Sequence, residues 1–245
     1  MTTLALYWGF FDPLYFIILA PALLLGAWAQ WRVKSAYAAA SQMPASSRIS
    51  GAEAAQMILD SHNIKGVGIE LAHGGELSDH YDPKAKMLRL SEPVYHGHSV
   101  AALGIAAHEA GHAVQDHVHY GPLKLRNGIV PLASIGSGFS YFILIAGIIL
   151  AAMQFVIGPA LIWIGLGLFA VVVLFQLINL PVEYDASRRA KDLMQSSHLV
   201  APGDEARAMN RVLNAAALTY VAATLSAILT LIYFVIRSGV LNDRR

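Results

Sequence analysis

The sequence predicts a mainly α-helical integral membrane protein, with about four transmembrane helices and a small α+β region holding a short β-hairpin or sheet. Three observations predict it. Of 245 residues, 56% are apolar and only 13% charged, whereas soluble domains carry about a quarter charged residues; the mean hydropathy is +0.51. Several stretches are long and apolar enough to cross a hydrocarbon core, which takes about 20 helical residues. Between the first two of them, the segment 32–137 shows the mixed helical and alternating patterning of a small domain.

The first segment, 1–31, contains a span over residues 14–31. Asp12 and Pro13 read as its N-cap and first-turn proline. Tyr7, Trp8, Phe10, Phe11, Tyr15 and Phe16 at one end, and Trp28 and Trp31 at the other, match interfacial aromatic belts. A cleaved signal peptide carries its positive charge before the apolar core. Here the first basic residues, Arg32 and Lys34, come after it.

A polar linker, SAYAAASQMPASSR, leads to Ser50 and Glu53, whose spacing is that of a capping box before a helix running to about Ser61. Two strand-like runs follow, Val67–Leu71 and Met87–Leu90, parted by turn signals at His73-Gly74-Gly75 and Asp82-Pro83. The expected order is helix, strand, strand, helix. An exposed strand near Leu88 would let an extended peptide add on through main-chain hydrogen bonds; simple core packing is the alternative.

The next helix carries His108-Glu109-Ala110-Gly111-His112. Residues four apart share a helix face, so His108 and His112 reach one ion while Glu109 points to its edge. Neutral imidazoles suit zinc, and three protein ligands leave a fourth position for water whose pKa falls to about 7. Glu109 would take the proton of that water and pass it to a leaving amine. An ordinary buried helix with satisfied histidines is the rival, but two His and a Glu are costly to bury unless paired or metal-bound.

The segment 138–180 forms a transmembrane hairpin, with spans at about 138–157 and 160–180 turning at Gly158-Pro159 and their neighbours. It returns the chain to the face it left, and a helix over 181–213 follows before the last span, residues 214–237. Glu183, just after the hairpin, is the best candidate for the third metal ligand, because an acid beside a span is costly without a partner. Asp185 is its rival; a surface pair of Glu183 with Arg188 or Arg189 is the bland alternative.

HEAGH, the hairpin and PVEYDASRRA together resemble the YugP-type family of membrane zinc metallopeptidases, the neutral zinc metallopeptidase family 2. The stretches LSDHYDPKAKMLRLSEPVYHGHSVAALGIAAHEAGHAVQ and LINLPVEYDASRRA carry the resemblance, which extends from about residue 14 to residue 235. It implies a zincin-like region with a gluzincin-like site: one zinc ion per chain, His108, His112 and Glu183 as ligands, and Glu109 as catalytic base. More distantly the layout is similar to the CAAX-prenyl-type and HtpX peptidases, which place an Asp four residues after the ligand Glu. Here that position is Ser187. FtsH-type proteases share HEAGH but need an ATPase module, and the sequence holds no phosphate-binding Gly-Lys-Ser/Thr loop.

Other groups are candidates for supporting roles. Asp116, four residues beyond His112, could accept its second ring N–H; helix-surface solvation is the alternative. Tyr184, His80, Tyr95 and Arg188 are candidates for stabilising an oxyanion. His96, His98, His117 and His119 read as loop or interfacial histidines rather than a second metal site. Gly147, Gly165 and Gly167 permit close helix packing within or between subunits.

Basic residues decide orientation. Arg32, Lys34, Lys124, Arg126, Arg188, Arg189, Lys191, Arg207 and Arg211 lie on the side of the HEAGH helix, against Arg237, Arg244 and Arg245. The positive-inside rule then places that region in the cytoplasm of a multi-pass cell-membrane protein. A net charge of +1, with no basic cluster interleaved with aromatics, gives no case for nucleic acid, and the absence of cysteine removes thiolate sites and disulfides. The expected partners are membrane lipid and protein or peptide substrates near the bilayer. The expected function is zinc-dependent endopeptidase, with a non-catalytic scaffold retaining a structural zinc as the alternative. A metal transporter would need ionisable residues lining its spans, and 138–180 holds no charged residue.

Overall fold

The computed structural model describes residues 12–75 and 78–239. Tyr7, Trp8, Phe10, Phe11, Arg244 and Arg245 lie outside the described residues. The elements run α1 Pro13–Ser41, α2 Gly51–Ser61, β1 Gly68–Leu71, β2 His80–Asp82, β3 Met87–Leu90, α3 Glu92–Tyr95, α4 Val100–His117, α5 Gly121–Ala152, α6 Ile157–Ser196 and α7 Asp204–Arg237. Among the described residues, four helices, α1, α5, α6 and α7, are long and apolar enough to cross a membrane. The protein is a mainly α membrane protein with a small α+β region.

The chain divides into two units. One comprises residues 1–27, 125–179 and 220–245; the other comprises 28–124 and 180–219. In the first, Leu144, Ile162, Leu166, Phe169 and Phe234 form an apolar core, and Tyr141, Phe169 and Phe234 meet edge to face. Gly147 and Gly165 let α5 and α6 touch within one chain: a Cβ on Gly147 would stand 2.8 Å from Ile162 N, and one on Gly165 would stand 2.6 Å from Leu144 Cγ. Gly167 faces open space. Outward-facing Ile17, Leu24, Phe142 and Trp163 leave the long helices with apolar surfaces suited to lipid. Asp12 caps α1 by accepting Leu14 N–H at 3.0 Å, and its other oxygen accepts Tyr233 Oη at 3.1 Å and pairs with Arg237 Nε at 3.2 Å.

In the second unit, α4 is buried almost all round, which explains its run of alanines. Leu103, Ala106, Ala107, Ala110 and Val114 pack with Ile58 and Leu59 of α2, Leu88 and Leu90 of β3, Met194 of α6, and Met209 and Leu213 of α7. The Ser50–Glu53 capping box starts α2 as expected, and Ser99 caps α4 by accepting Ala102 N–H at 3.2 Å.

The structure departs from expectation in four places. The linker after the first span is helical to Ser41, because its alanines favour helix and Ala36, Tyr37 and Ala40 join the core. The sheet has a third strand, His80–Asp82, and the order β1-β3-β2: β3 pairs parallel with β1 and antiparallel with β2. The strand at Leu88 is therefore central, with Leu88 and Leu90 in the core, and offers no free edge to a peptide. The α5–α6 turn falls before Gly158-Pro159, which already lie in the first turn of α6, where proline is tolerated. Finally, no new helix begins at residue 181. α6 runs unbroken through Pro181 to Ser196, and residues 204–213 open the helix that continues through the last span.

Candidate metal centre

His108 and His112 stand on one face of α4, their rings edge to face with centroids 4.9 Å apart. Glu183 reaches them from α6. Its Oε2 lies 3.3 Å from His108 Nε2 and 3.6 Å from His112 Nε2. Among the described residues, this is the one group of three His, Cys, Asp or Glu side chains placed to hold a metal ion, with ligand atoms all within 4.8 Å of one another.

The approach of α6 to α4 depends on Gly111. A Cβ there would sit 2.9 Å from Ala186 O and 3.4 Å from Ala186 Cα, so only glycine admits the second backbone. Val182, Ala186 and Ala190, four residues apart and all fully buried, share one face of α6 for that contact.

Each imidazole is held from behind. His108 Nδ1 is 3.2 Å from Ser187 Oγ, and His112 Nδ1 is 3.0 Å from Gln115 Oε1. Gln115 Nε2 donates to Val182 O at 2.8 Å and to Asp185 Oδ2 at 3.0 Å. Asp185 in turn accepts from Arg188 and Arg189.

The donor set fits zinc. With His112 Nδ1–H given to Gln115, the Nε2 lone pair faces the Glu183 carboxylate, and that carboxylate is only 5% exposed. Lone pair against anion in a buried place is unfavourable unless a cation or a proton stands between them. Tetrahedral zinc with ligands at about 2.0–2.1 Å sets neighbouring ligand atoms about 3.3 Å apart, close to the spacings from Glu183 Oε2 to the two imidazoles. Without a metal, burial pushes the His112 imidazole down, but the Glu183 and Glu109 carboxylates outweigh it and hold the ring's pKa above the ordinary histidine value.

Glu109, the next residue after His108, is buried, and its Oε2 accepts Tyr81 N–H of β2 at 3.1 Å. Tyr81 is thus an edge-strand residue whose amide turns to α4. Nearby Asp79 accepts both Ser91 N–H and Ser91 Oγ, and burial raises its carboxyl pKa.

Other sequence candidates go elsewhere. Asp116 does not reach His112; it accepts Tyr81 Oη at 2.7 Å and Lys86 Nζ at 2.6 Å, because the sheet lies over the last turn of α4. Asp185 is taken by Gln115 and the two arginines, and Glu183 is buried rather than in a surface pair. Arg188 is held by Asp185 and Asp192, Tyr95 packs on His96, His80 Nδ1 meets Ser78 O, and Tyr184 is exposed. Gln115 and the Tyr81 amide were not singled out from the sequence. A polar residue three positions after a ligand histidine in an otherwise alanine-rich helix was the available signal for Gln115.

Residues 15–239 match the family described as "putative neutral zinc metallopeptidase". The chain belongs to this family. A relative of this zinc metallopeptidase family member, the "Putative membrane protease YugP" of Bacillus subtilis (strain 168), is 43% identical over 222 residues, covering 91% of this chain and 95% of the relative. No solved structure matches the chain. The likeness to a membrane protease and the four apolar helices make it a multi-pass membrane protein, and among the described residues His108, His112 and Glu183 form the group able to hold a metal ion.

Proposed function

We propose that the protein is a membrane zinc metalloendopeptidase of gluzincin type, in which His108, His112 and Glu183 hold one zinc ion per chain and Glu109 is the general base. The observation that carries the reading is the meeting of two imidazole Nε2 atoms with one buried carboxylate contributed from 75 residues further along the chain. Bound zinc supplies a Lewis acid that polarises a peptide carbonyl and lowers the pKa of water. Glu109 takes the proton from the attacking water and delivers it to the departing amine nitrogen, so that the C–N bond breaks and the carboxylate is regenerated.

The strand β2 supports a polypeptide substrate. It is an edge strand, and the Tyr81 N–H is directed at the Glu109 carboxylate rather than at β3. An extended segment pairing there would align its backbone beside α4 by main-chain hydrogen bonds, with little demand on its side chains. Membrane-tethered or unfolded segments on the cytoplasmic face are the substrates this reading favours, the positive-inside bias supplying the orientation.

Purified full-length protein in detergent tests the reading. Wild type and Glu109→Gln are expected to hold equal zinc, with cleavage of an unfolded polypeptide lost in Glu109→Gln; Glu183→Ala is expected to lose the zinc. Unchanged cleavage in Glu109→Gln would remove Glu109 as the base, and zinc bound without any cleavage by wild type would favour a scaffold with a structural ion.

A further inference from the structure

We infer that Gln115 is the positioning residue of this centre: its side-chain amide fixes the tautomer of His112 and ties that ligand to the helix that carries Glu183. The inference rests on the zinc reading above. The amide's orientation follows from its neighbours. Val182 O and the Asp185 carboxylate both only accept, so the NH2 group must face them, and Oε1 must face the His112 ring. An acceptor 3.0 Å from His112 Nδ1 requires that nitrogen to carry the hydrogen, which leaves the Nε2 lone pair directed to Glu183 Oε2.

The same amide joins the two ligand-bearing helices. Gln115 is on α4, three residues after His112; Val182 is on α6, immediately before Glu183. Gln115 is fully buried, so no solvent competes for its groups. Asp185, held by Arg188 and Arg189, anchors the far side of the amide, and Arg189 lies over the Tyr120 ring at 5.9 Å. The result is a relay from arginine through carboxylate and amide to imidazole, in which each hydrogen bond has one permitted direction.

His108 differs. Its Nδ1 partner, Ser187 Oγ, both donates and accepts, so the hydroxyl follows the ring instead of fixing it. His112 is therefore the pre-set ligand and His108 the one that adjusts.

Zinc affinity, measured on the full chain in detergent by competition with a chromophoric chelator, separates this role from simple helix bridging. Gln115→Met keeps the volume but removes the acceptor; it is expected to weaken zinc binding by roughly 10–100-fold, the usual effect of losing an outer partner of a metal-bound histidine. Gln115→Glu keeps an oxygen for the His112 ring N–H while losing the donations to Val182 O and to Asp185, beside which it sets a second carboxylate; it is expected to hold zinc more tightly than Gln115→Met even though its fold is the less stable. Both variants lose that bridge to α6, and Gln115→Glu adds like-charge repulsion from Asp185, so the zinc-free protein should unfold at least as readily in Gln115→Glu as in Gln115→Met. Equal zinc loss in both variants, or none in Gln115→Met, overturns the inference. As a readout needing no substitution, the imidazole 15N signals of zinc-loaded wild type should show His112 Nδ1 protonated and Nε2 ligated; the opposite tautomer overturns the inference even if Gln115→Met fails to fold. Absence of zinc from wild type, to the level of His112→Ala, overturns the zinc reading and this inference with it.

Discussion

Gly111 lies against the backbone of Ala186, with room for a hydrogen and not for a methyl group. The contact sets how closely the histidine helix and the glutamate helix approach, so the separation between imidazole and carboxylate is a packing property before it is a chemical one.

Gly111→Ala should therefore push the helices apart. A Cβ at 2.9 Å from a carbonyl oxygen has to be relieved by movement of backbone, and overpacking of this kind costs roughly 1–3 kcal/mol. Thermal unfolding of the solubilised protein should fall accordingly, and zinc affinity should fall with it, although no ligand has been altered. A variant with wild-type zinc affinity would show that the helices separate without moving the ligands.

Ser187 supplies the partner of His108 Nδ1. Ser187→Ala should weaken zinc binding toward the lower end of the roughly 10–100-fold range for such partners, since a hydroxyl is a modest acceptor. Ser187→Asp should tighten it above wild type, as a carboxylate raises the basicity of the ring it faces. Chelator competition on the two variants checks both directions.

Much of this centre was legible in the sequence. The spacing of His108 and His112 needs only a helix to become a pair, and Glu183 stands out as an acid beside a long apolar run. What stayed hidden depends on contacts distant in the chain. Asp116 has the i+4 spacing to serve His112, yet Tyr81 and Lys86 claim it, and neither pairing leaves a local trace. Gln115 works through Val182 and Asp185, nearly seventy residues on. The strand His80–Asp82 is too short and polar to announce itself, and exists because β3 pairs with it. Local propensity also could not say that α6 would continue through Pro181, a residue that would end an isolated helix.

Asp82 gives a pH dependence with a definite sign. The Ala85 N–H, the Arg89 guanidinium and the Lys84 N–H hold its carboxyl down, from the ordinary 3.8 to about 2. In the window between those values the unfolded chain binds the proton and the folded chain does not, so stability from this turn is present above about pH 4 and drains away as pH falls toward 2. Asp82→Asn should flatten the fall of Tm across that window; an unchanged slope would assign the acid sensitivity elsewhere.

Asp12 is the corresponding test for the apolar unit. It caps α1 and receives Tyr233 and Arg237 of α7. Asp12→Ala should cost about 1 kcal/mol through the cap alone. Asp12→Asn keeps the cap and should lose less. The two are compared by thermal unfolding in one detergent.

The order of the ligands along the chain has a consequence for biosynthesis. His108 is made 75 residues ahead of Glu183, with both apolar strokes of the hairpin translated in between. At about 5–20 residues per second, the interval is about 4–15 s. Throughout it the nascent polypeptide owns two of the three side chains of the cation cage, so the cage closes only once Glu183 has followed the hairpin out of the ribosome.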